Sequence, residues 1–200
     1  MEYSVSWALM KAYLTFLLVL VCCLTKSFAQ DKYEKESRIK KAQVPVTVLN
    51  FIEAAGFSQK IKWYKEESLV GYSYEAKTID QGRKYSVEFD SLGRIEDIEY
   101  KISWAAIPSL AKAKIKVHFD RKYQKRKIVK VQVQVSGPSP SLIQWIKDKK
   151  APTEIITKYE LVVKVSKAKQ SQMMEYLFTE AGTVERASKI VLKNTDHLEY

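Results

Sequence analysis

The sequence has almost no cysteine, and its two cysteines lie together near the start, at Cys22 and Cys23. They belong to an apolar run over residues 12–24, which follows a short segment with one positive charge at its end and precedes a small-x-small motif ending at Ala29. These features are typical of a secretory signal peptide, so we predict that residues 1–29 are removed. The mature chain would then hold no cysteine, which excludes disulfides, thiolate nucleophiles and cysteine-bound metals.

The alternatives to a cleaved leader are an uncleaved membrane anchor and a lipoprotein. The apolar run is ~13 residues long, which is short of the ~20 residues that span a bilayer. A lipid-attached cysteine needs a small residue just before it, whereas Val21 precedes Cys22. A periplasmic or secreted protein is therefore the expected outcome, and a lipoprotein is the less favoured one.

Histidine is equally scarce. The chain has only His118 and His197, and neither has a second histidine at a ligand spacing, so no metal site is predicted. The sequence also lacks a Gly-x-Ser-x-Gly turn and a glycine-rich phosphate loop. The carboxyl groups of Glu96, Asp97 and Glu99 are interpreted as a charged strand edge that discourages aggregation, with a general acid–base pair as the alternative. We therefore predict no catalytic residues, no cofactor and no enzyme activity.

What the sequence does have is positive charge, with 34 Lys and Arg against 23 Asp and Glu and a formal net charge of +11. This balance favours acidic partners or anionic surfaces. Few aromatic residues accompany the basic ones, so no nucleic-acid partner is expected. The densest basic segment covers the second predicted helix and the start of its strand, and it is either an anionic-surface patch or a solvated helix face. Its members are Lys112, Lys116, Arg121, Lys122, Lys125, Arg126 and Lys127.

Two hairpins organise the rest of the chain. In each, an alternating apolar and polar strand reaches a turn with a glycine, Gly93 or Gly182, where a positive φ is needed, and an extended pattern follows. Each hairpin is preceded by two strand patterns and, before those, by a helix pattern that opens at Pro45 or at Pro108. The order helix, strand, strand, hairpin therefore occurs twice.

This order predicts an α+β fold of two tandem repeats, each a helix plus a four-stranded antiparallel sheet, which together form a curved eight-stranded sheet. Because one helix cannot cover both faces of its sheet, one face is left for solvent or a partner. A short helix pattern from Ser141 to Lys149 enlarges the second repeat. The predicted division is a flexible lead-in over 30–42, repeat 1 over 43–103, repeat 2 over 104–192 with an insertion over 136–157, and a tail over 193–200.

The predicted open face follows from alternation within strands. In the strand from Lys125 to Val135, every second residue from Val129 onward is a valine, and we expect these valines to face the core. Trp63 is expected to pack under the first helix, which leaves Tyr64 exposed among mixed charges, a setting that suits protein recognition. The predicted partner-binding residues are Lys62, Tyr64, Glu66, Lys130, Gln132 and Gln134.

Several short motifs also carry a family resemblance, namely Val44-Pro45, Lys62-Trp63-Tyr64-Lys65-Glu66, the hairpin from Tyr85 to Ile95, and Ile107-Pro108. Through them, residues 43–192 resemble the PepSY-like exported bacterial proteins, which are grouped with the β-lactamase-inhibitor-like fold. The resemblance implies tandem helix-plus-four-strand units, an exported location and no known enzymatic activity. β-Lactamase inhibitor proteins of this shape hold their target on the concave sheet, and PepSY domains have been proposed to restrain proteases.

Together these expectations describe an exported, non-enzymatic binding module that holds an unidentified protein or peptide on its open sheet face, with inhibition of that partner as one role. The alternative is an envelope-associated structural protein whose basic helix contacts anionic surfaces, including a membrane surface.

Overall fold

A computed structural model of the chain describes residues 31–33, 35–148, 152–167 and 170–191. The predicted signal peptide over 1–29 and the tail over 193–200 lie outside the described residues. No helix in the described part is long and apolar enough to cross a membrane.

The helices are α1 (Val46–Ala55), α2 (Ser109–Lys122) and α3 (Ser139–Asp148). The strands are β1 (Asp31–Tyr33), β2 (Lys35–Ile39), β3 (Lys62–Glu67), β4 (Tyr72–Asp80), β5 (Arg83–Phe89), β6 (Ile95–Lys101), β7 (Lys125–Ser136), β8 (Ile156–Lys167), β9 (Gln170–Thr179) and β10 (Val184–Val191).

All ten strands form one sheet in the order β1-β10-β9-β8-β7-β6-β5-β4-β3-β2. From β2 to β10 each strand is antiparallel to its neighbour in the chain, and only β1 is parallel, with Asp31 opposite Lys189. The predicted α+β class with an antiparallel sheet is therefore confirmed.

The strand count is larger than the eight predicted, because the supposed flexible lead-in over 30–42 contributes β1 and β2. Its charged side chains do not prevent its backbone from pairing, and Arg38 lies opposite Tyr64 of β3.

Proline and glycine residues mark several of the helix ends. Pro45 precedes α1 with φ −55°, and Gly56 ends it in the left-handed region with φ 71°. Pro108 precedes α2 in the same way with φ −52°. The short helix predicted from Ser141 onward is confirmed as α3, which begins two residues earlier, at Ser139, and whose buried residues include Trp145.

The three helices lie on the same face of the sheet, which we call the covered face. Phe51 of α1 contacts Phe89 of β5, with ring centroids 5.4 Å apart. Trp145 of α3 stacks on Tyr100 of β6 at 5.8 Å. Phe119 of α2 meets two aromatic rings of β9 and is fully buried. These residues belong to one continuous core, so the opposite side of the sheet, which we call the open face, has no helix over it among the described residues.

Each predicted hairpin glycine has the expected positive φ and lies against the start of a helix. Gly93 has φ 78°, and an added Cβ there would meet the Thr47 hydroxyl and come within 3.2 Å of a Val48 methyl group. Gly182 has φ 81°, and its Cβ would lie 2.8 Å from the Cα of Ala111. Each glycine N–H donates to the carbonyl oxygen three residues earlier, at 2.9 Å and 2.8 Å. Only glycine combines this backbone geometry with such close packing.

The start of β7 departs from the predicted alternation. The pairing of β7 with β8 shifts between Ile128 and Lys130, and this bulge leaves Val129 43% exposed. The prediction that Val129 faces the core is therefore wrong, because a bulge inserts one residue into the alternation. From Val131 onward the valines are buried in the core as predicted.

Candidate functional site

The open face is concave. A cavity of about 1120 Å³ lies on it and is lined by residues from every strand between β2 and β10. Five of the six predicted partner-binding residues line this cavity, because alternate residues of neighbouring strands point to the same side of a sheet. They are Lys62, Glu66, Lys130, Gln132 and Gln134.

The sixth predicted residue, Tyr64, is not exposed. Only 6% of its surface is accessible, and it does not line the cavity. The Lys77 ammonium lies 4.8 Å from the centre of the Tyr64 ring and covers it, while Arg38 and Glu75 flank it on the neighbouring strands. The prediction of an exposed tyrosine is therefore wrong. Alternation placed Tyr64 on the correct face but could not show that neighbouring side chains bury it.

Two glutamines of β7 are held in place by carboxylates of β6. The Gln132 amide donates a hydrogen bond to Glu99 over 2.8 Å, and the Gln134 amide donates to Asp97 over 3.1 Å. Both Gln132 and Glu99 are buried. These hydrogen bonds restrict the side-chain rotamers of both glutamines on the open face.

The centre of the open face carries several acidic side chains in contact. Glu75, Glu88 and Asp97 lie directly opposite one another on β4, β5 and β6, and Glu99 follows two residues after Asp97. The interpretation of Asp97 and Glu99 as a charged strand edge is wrong, because β6 lies inside the sheet between β5 and β7. Burial, followed by the nearby carboxylates of Glu99 and Asp97, raises the pKa of Glu88 well above its ordinary value.

Lysine side chains compensate much of the surrounding acidity. Lys77 forms ion pairs with Glu36 at 2.6 Å and with Glu75 at 3.0 Å. Burial raises the pKa of Glu75, although the neighbouring Lys77 ammonium and a short hydrogen bond from Ser86 act against this. Burial alone would lower the pKa of Lys77, but the carboxylates of Glu75 and Glu36 raise it overall. The lining as a whole holds as many acidic as basic residues, unlike the chain with its net charge of +11.

Three carboxyl groups could hold a metal ion. One carboxylate oxygen from each of Glu88, Asp97 and Glu99 lies within 4.8 Å of the other two. The sequence analysis singled out Asp97 and Glu99 but missed Glu88. The hairpin around Gly93 carried the missing signal, because folding the two strands onto each other places Glu88 opposite Asp97.

The predicted basic patch lies on α2 and the start of β7, away from the open-face centre. Asp120 lies among these residues and pairs with both Lys116 and Arg126, and these two hydrogen bonds lower its pKa. Lys112 donates to the Ala105 carbonyl oxygen at 3.0 Å. Lys122 lies over the rings of Tyr123 and Tyr176. The remaining members, Arg121, Lys125 and Lys127, are exposed.

No protein-family model matches the chain, and no curated protein matches it. Several solved structures are similar in shape. A DUF2874 family protein from Bacteroides ovatus is 11% identical, covers 74% of this chain and 88% of its own, and gives a TM-score of 0.49. A BLIP-like protein from Bacteroides fragilis is 17% identical. The match covers 77% of this chain and 92% of that protein, and its TM-score is 0.47. A DUF2874 family protein from Bacteroides uniformis is 16% identical. The match covers 73% of this chain and 89% of that protein, and its TM-score is 0.49. Because the TM-scores lie below 0.5, function is argued from the open face itself.

Proposed function

We propose that the protein is a non-enzymatic binding module that holds a protein or peptide partner on the open face of its sheet. The observation that carries this proposal is the concave face, which no described helix covers and whose cavity of about 1120 Å³ extends over nine strands. A curved face of this extent can hold a segment of a partner chain rather than only a small molecule. The module would contact its partner through complementary shape and charge, and inhibition of the partner would be one consequence.

The polar lining supports the same proposal. Buried polar groups that already have hydrogen-bond partners, such as Gln132 with Glu99, present a rigid surface. Ion pairs such as Lys130 with Glu160, at 3.5 Å, are placed where a partner's charged groups could replace one member. Surfaces with this mixed pattern select partners by electrostatic complementarity.

Two further parts of the proposal concern architecture and location. We infer that the fold consists of two PepSY-like repeats, α1 with β3–β6 and α2 with β7–β10. Val48 and Ala111, which the two hairpin glycines contact, each come three residues after the proline that precedes their helix, and this equivalence supports the inference. Export through the predicted signal peptide remains part of the same proposal, and it places the module in the periplasm or outside the cell.

Two matched lysines test where the partner lies. A photo-crosslinking residue replaces either Lys130 on the open face or Lys116 on the exposed side of α2, and whole cells are irradiated. We expect a cross-linked adduct of one defined mass from the Lys130 position and none from the Lys116 position. Adducts from Lys116 alone would overturn the open-face proposal.

The second candidate function is contact of the basic patch with an anionic surface. It is favoured by the three exposed members Arg121, Lys125 and Lys127, for which no ion pair is found among the described residues. Retention on anionic vesicles should then weaken as salt rises, since exposed charges are screened. No retention of the wild-type protein at low salt, or equal retention of a Lys125→Glu, Lys127→Glu variant, would exclude this function.

A further inference from the structure

Three carboxyl groups of the open face converge at one point between β5 and β6. The relevant oxygen atoms of Glu88, Asp97 and Glu99 all lie within 4.8 Å of one another. A calcium ion binds its oxygen ligands at roughly 2.4 Å, so ligands on opposite sides of the ion lie about 4.8 Å apart. The three oxygen atoms therefore fit into a single calcium coordination sphere without movement of the strands.

A fourth oxygen atom, that of the Gln132 amide group, is carried by a side chain bonded to one member of the cluster. Gln132 is only 9% exposed, and its amide nitrogen donates to Glu99 over 2.8 Å, which directs the amide group toward the carboxyl cluster. The amide oxygen of Gln132 is buried and accepts no hydrogen bond from any described residue. A buried acceptor without a donor carries a desolvation cost, and a cation would satisfy it. Side-chain amide oxygens are ordinary calcium ligands.

The charges around Glu88 also favour a cation. Glu75 and Asp97 lie directly opposite Glu88 on the two neighbouring strands, and like charges in this position repel each other. The nearby ammonium of Lys77 is engaged by Glu75 and Glu36. Among the described residues no lysine or arginine forms an ion pair with Glu88. Glu88 therefore lies beside like charges on both neighbouring strands without a basic side chain paired to it in the described part of the chain.

We propose that Glu88, Asp97 and Glu99, with the amide oxygen of Gln132, bind a calcium ion. A ligand set made only of oxygen atoms selects hard cations over zinc or copper. Magnesium needs shorter bonds of roughly 2.0–2.1 Å in a near-octahedral arrangement and gives up its water molecules reluctantly, so several carboxylates held on a sheet favour calcium. The cation would lie in the floor of the cavity, so its binding would change the charge that the open face presents. The site does not depend on the proposed partner, and its test measures metal binding directly.

The test uses the protein treated with a chelator and then dialysed, and calcium chloride or magnesium chloride as the only added ligand. Isothermal titration should give a dissociation constant for calcium on the order of 10⁻⁴ M. The melting temperature should rise by several degrees at about 10 mM calcium, roughly 100 times that constant. The response to magnesium should be at least about tenfold weaker in affinity.

Isosteric variants identify the ligands. Glu88→Gln removes one carboxylate and also the repulsion within the row, so without calcium it should melt no lower than the wild type. It should nevertheless lose the calcium response, which separates loss of binding from loss of folding. Gln132→Met removes the amide oxygen and the support of Glu99, and it should weaken calcium binding by roughly tenfold.

Glu96→Gln is the matched control, because Glu96 precedes Asp97 on the same strand, is exposed, and lies outside the group of converging oxygen atoms. This variant should bind calcium as the wild type does. The proposal is overturned if the wild type shows no heat and no change in melting temperature at about 10 mM calcium. It is also overturned if Glu88→Gln keeps the full response, or if magnesium binds equally well.

Discussion

Both faces of the sheet bury side chains, but they do so by different chemistry. On the covered face the fully buried side chains are Phe89, Tyr176 and Phe178 and their aliphatic neighbours, which meet the helices. On the open face Glu99 and Glu160 are only 5% and 4% exposed, although no described helix lies over them. Their burial comes from the curvature of the sheet and from neighbouring side chains. Burial on the open face therefore indicates a shaped polar surface rather than a second hydrophobic core.

The two faces of the sheet therefore differ in how much they contribute to stability. Apolar contacts on the covered face are the main source of folding free energy, because burial of apolar area is the dominant favourable contribution. Buried ion pairs on the open face contribute little net stability, since desolvation offsets most of their attraction. A protein that needed the sheet only for stability could replace these charges with apolar residues. Their presence is consistent with a surface shaped for binding.

The largest expected effect compares two adjacent residues of β9 that point to opposite faces. Phe178→Ala removes a fully buried ring from the covered face and should lower the free energy of unfolding by about 3–5 kcal/mol. Leu177→Ala on the open face should cost only about 1–2 kcal/mol, because water can enter the space that the leucine leaves. Urea unfolding of both variants measures the difference. Equal losses would show that the open face is a second core.

The covered face can also be disturbed through the backbone. Gly182→Ala should cost about 3 kcal/mol, because its Cβ would meet the backbone of Ala111 in addition to the strain of a positive φ. Gly93→Ala should cost about 1–2 kcal/mol, since its closest contact is the Thr47 hydroxyl, which can rotate away. Thermal unfolding compares the two variants. A larger loss at Gly93 would contradict the difference between backbone and side-chain contacts.

The charged network of the open face gives the next smaller effect. Lys77→Met removes the ammonium that pairs with Glu36 and Glu75, and it should lower the free energy of unfolding by about 2 kcal/mol because two partly buried carboxylates lose their partner. Lys35→Met is the control, since that side chain and its partner Glu67 are 54% and 46% exposed and the change should cost less than about 1 kcal/mol. Chemical denaturation checks both. If Lys77→Met were neutral, the open face would be an ordinary solvated surface.

The smallest effect concerns pH and the covered face. Burial, with a smaller contribution from Lys122, lowers the pKa of His118 below its ordinary value of about 6.5. The unfolded chain therefore takes up a proton before the folded one does, and stability should fall as the pH drops below about 6.5 and level off below the folded-state pKa. His118→Phe, which keeps a ring beside Tyr176 and Phe178, should remove this decline. The measurement is the difference in melting temperature between the two proteins across the pH range, and parallel curves would contradict it.

Local patterns in the sequence predicted most of the covered face. The prolines before α1 and α2 and the glycines of both hairpins are short-range signals, and the structure has each of them in place. Alternation also predicted which side chains of β3 and β7 share the open face. These features depend on residues close together in the chain, where steric and hydrogen-bonding preferences act directly.

What the sequence could not predict depends on which strands become neighbours. Tyr64 is buried because Lys77 comes from the adjacent strand, and Asp97 and Glu99 lie inside the sheet because β7 pairs with β6. The charge-rich segment before residue 40 forms β2 only because the edge of β3 is available to it. The hydrogen bond from Gln132 to Glu99 joins two residues that are distant in the chain. Such features require the register of the whole sheet, which one strand does not contain.

The parallel pairing of β1 with β10 has a consequence for the order in which the chain can assemble. From β2 to β10 every strand adds beside the one that precedes it in the chain, so this part of the sheet can grow in order from the N-terminal side. Lys32 cannot find its position opposite Ile190 until almost the entire described chain has been synthesised. The first strand of the sheet is thus the last to join, and the edge of β10 stays open until it does.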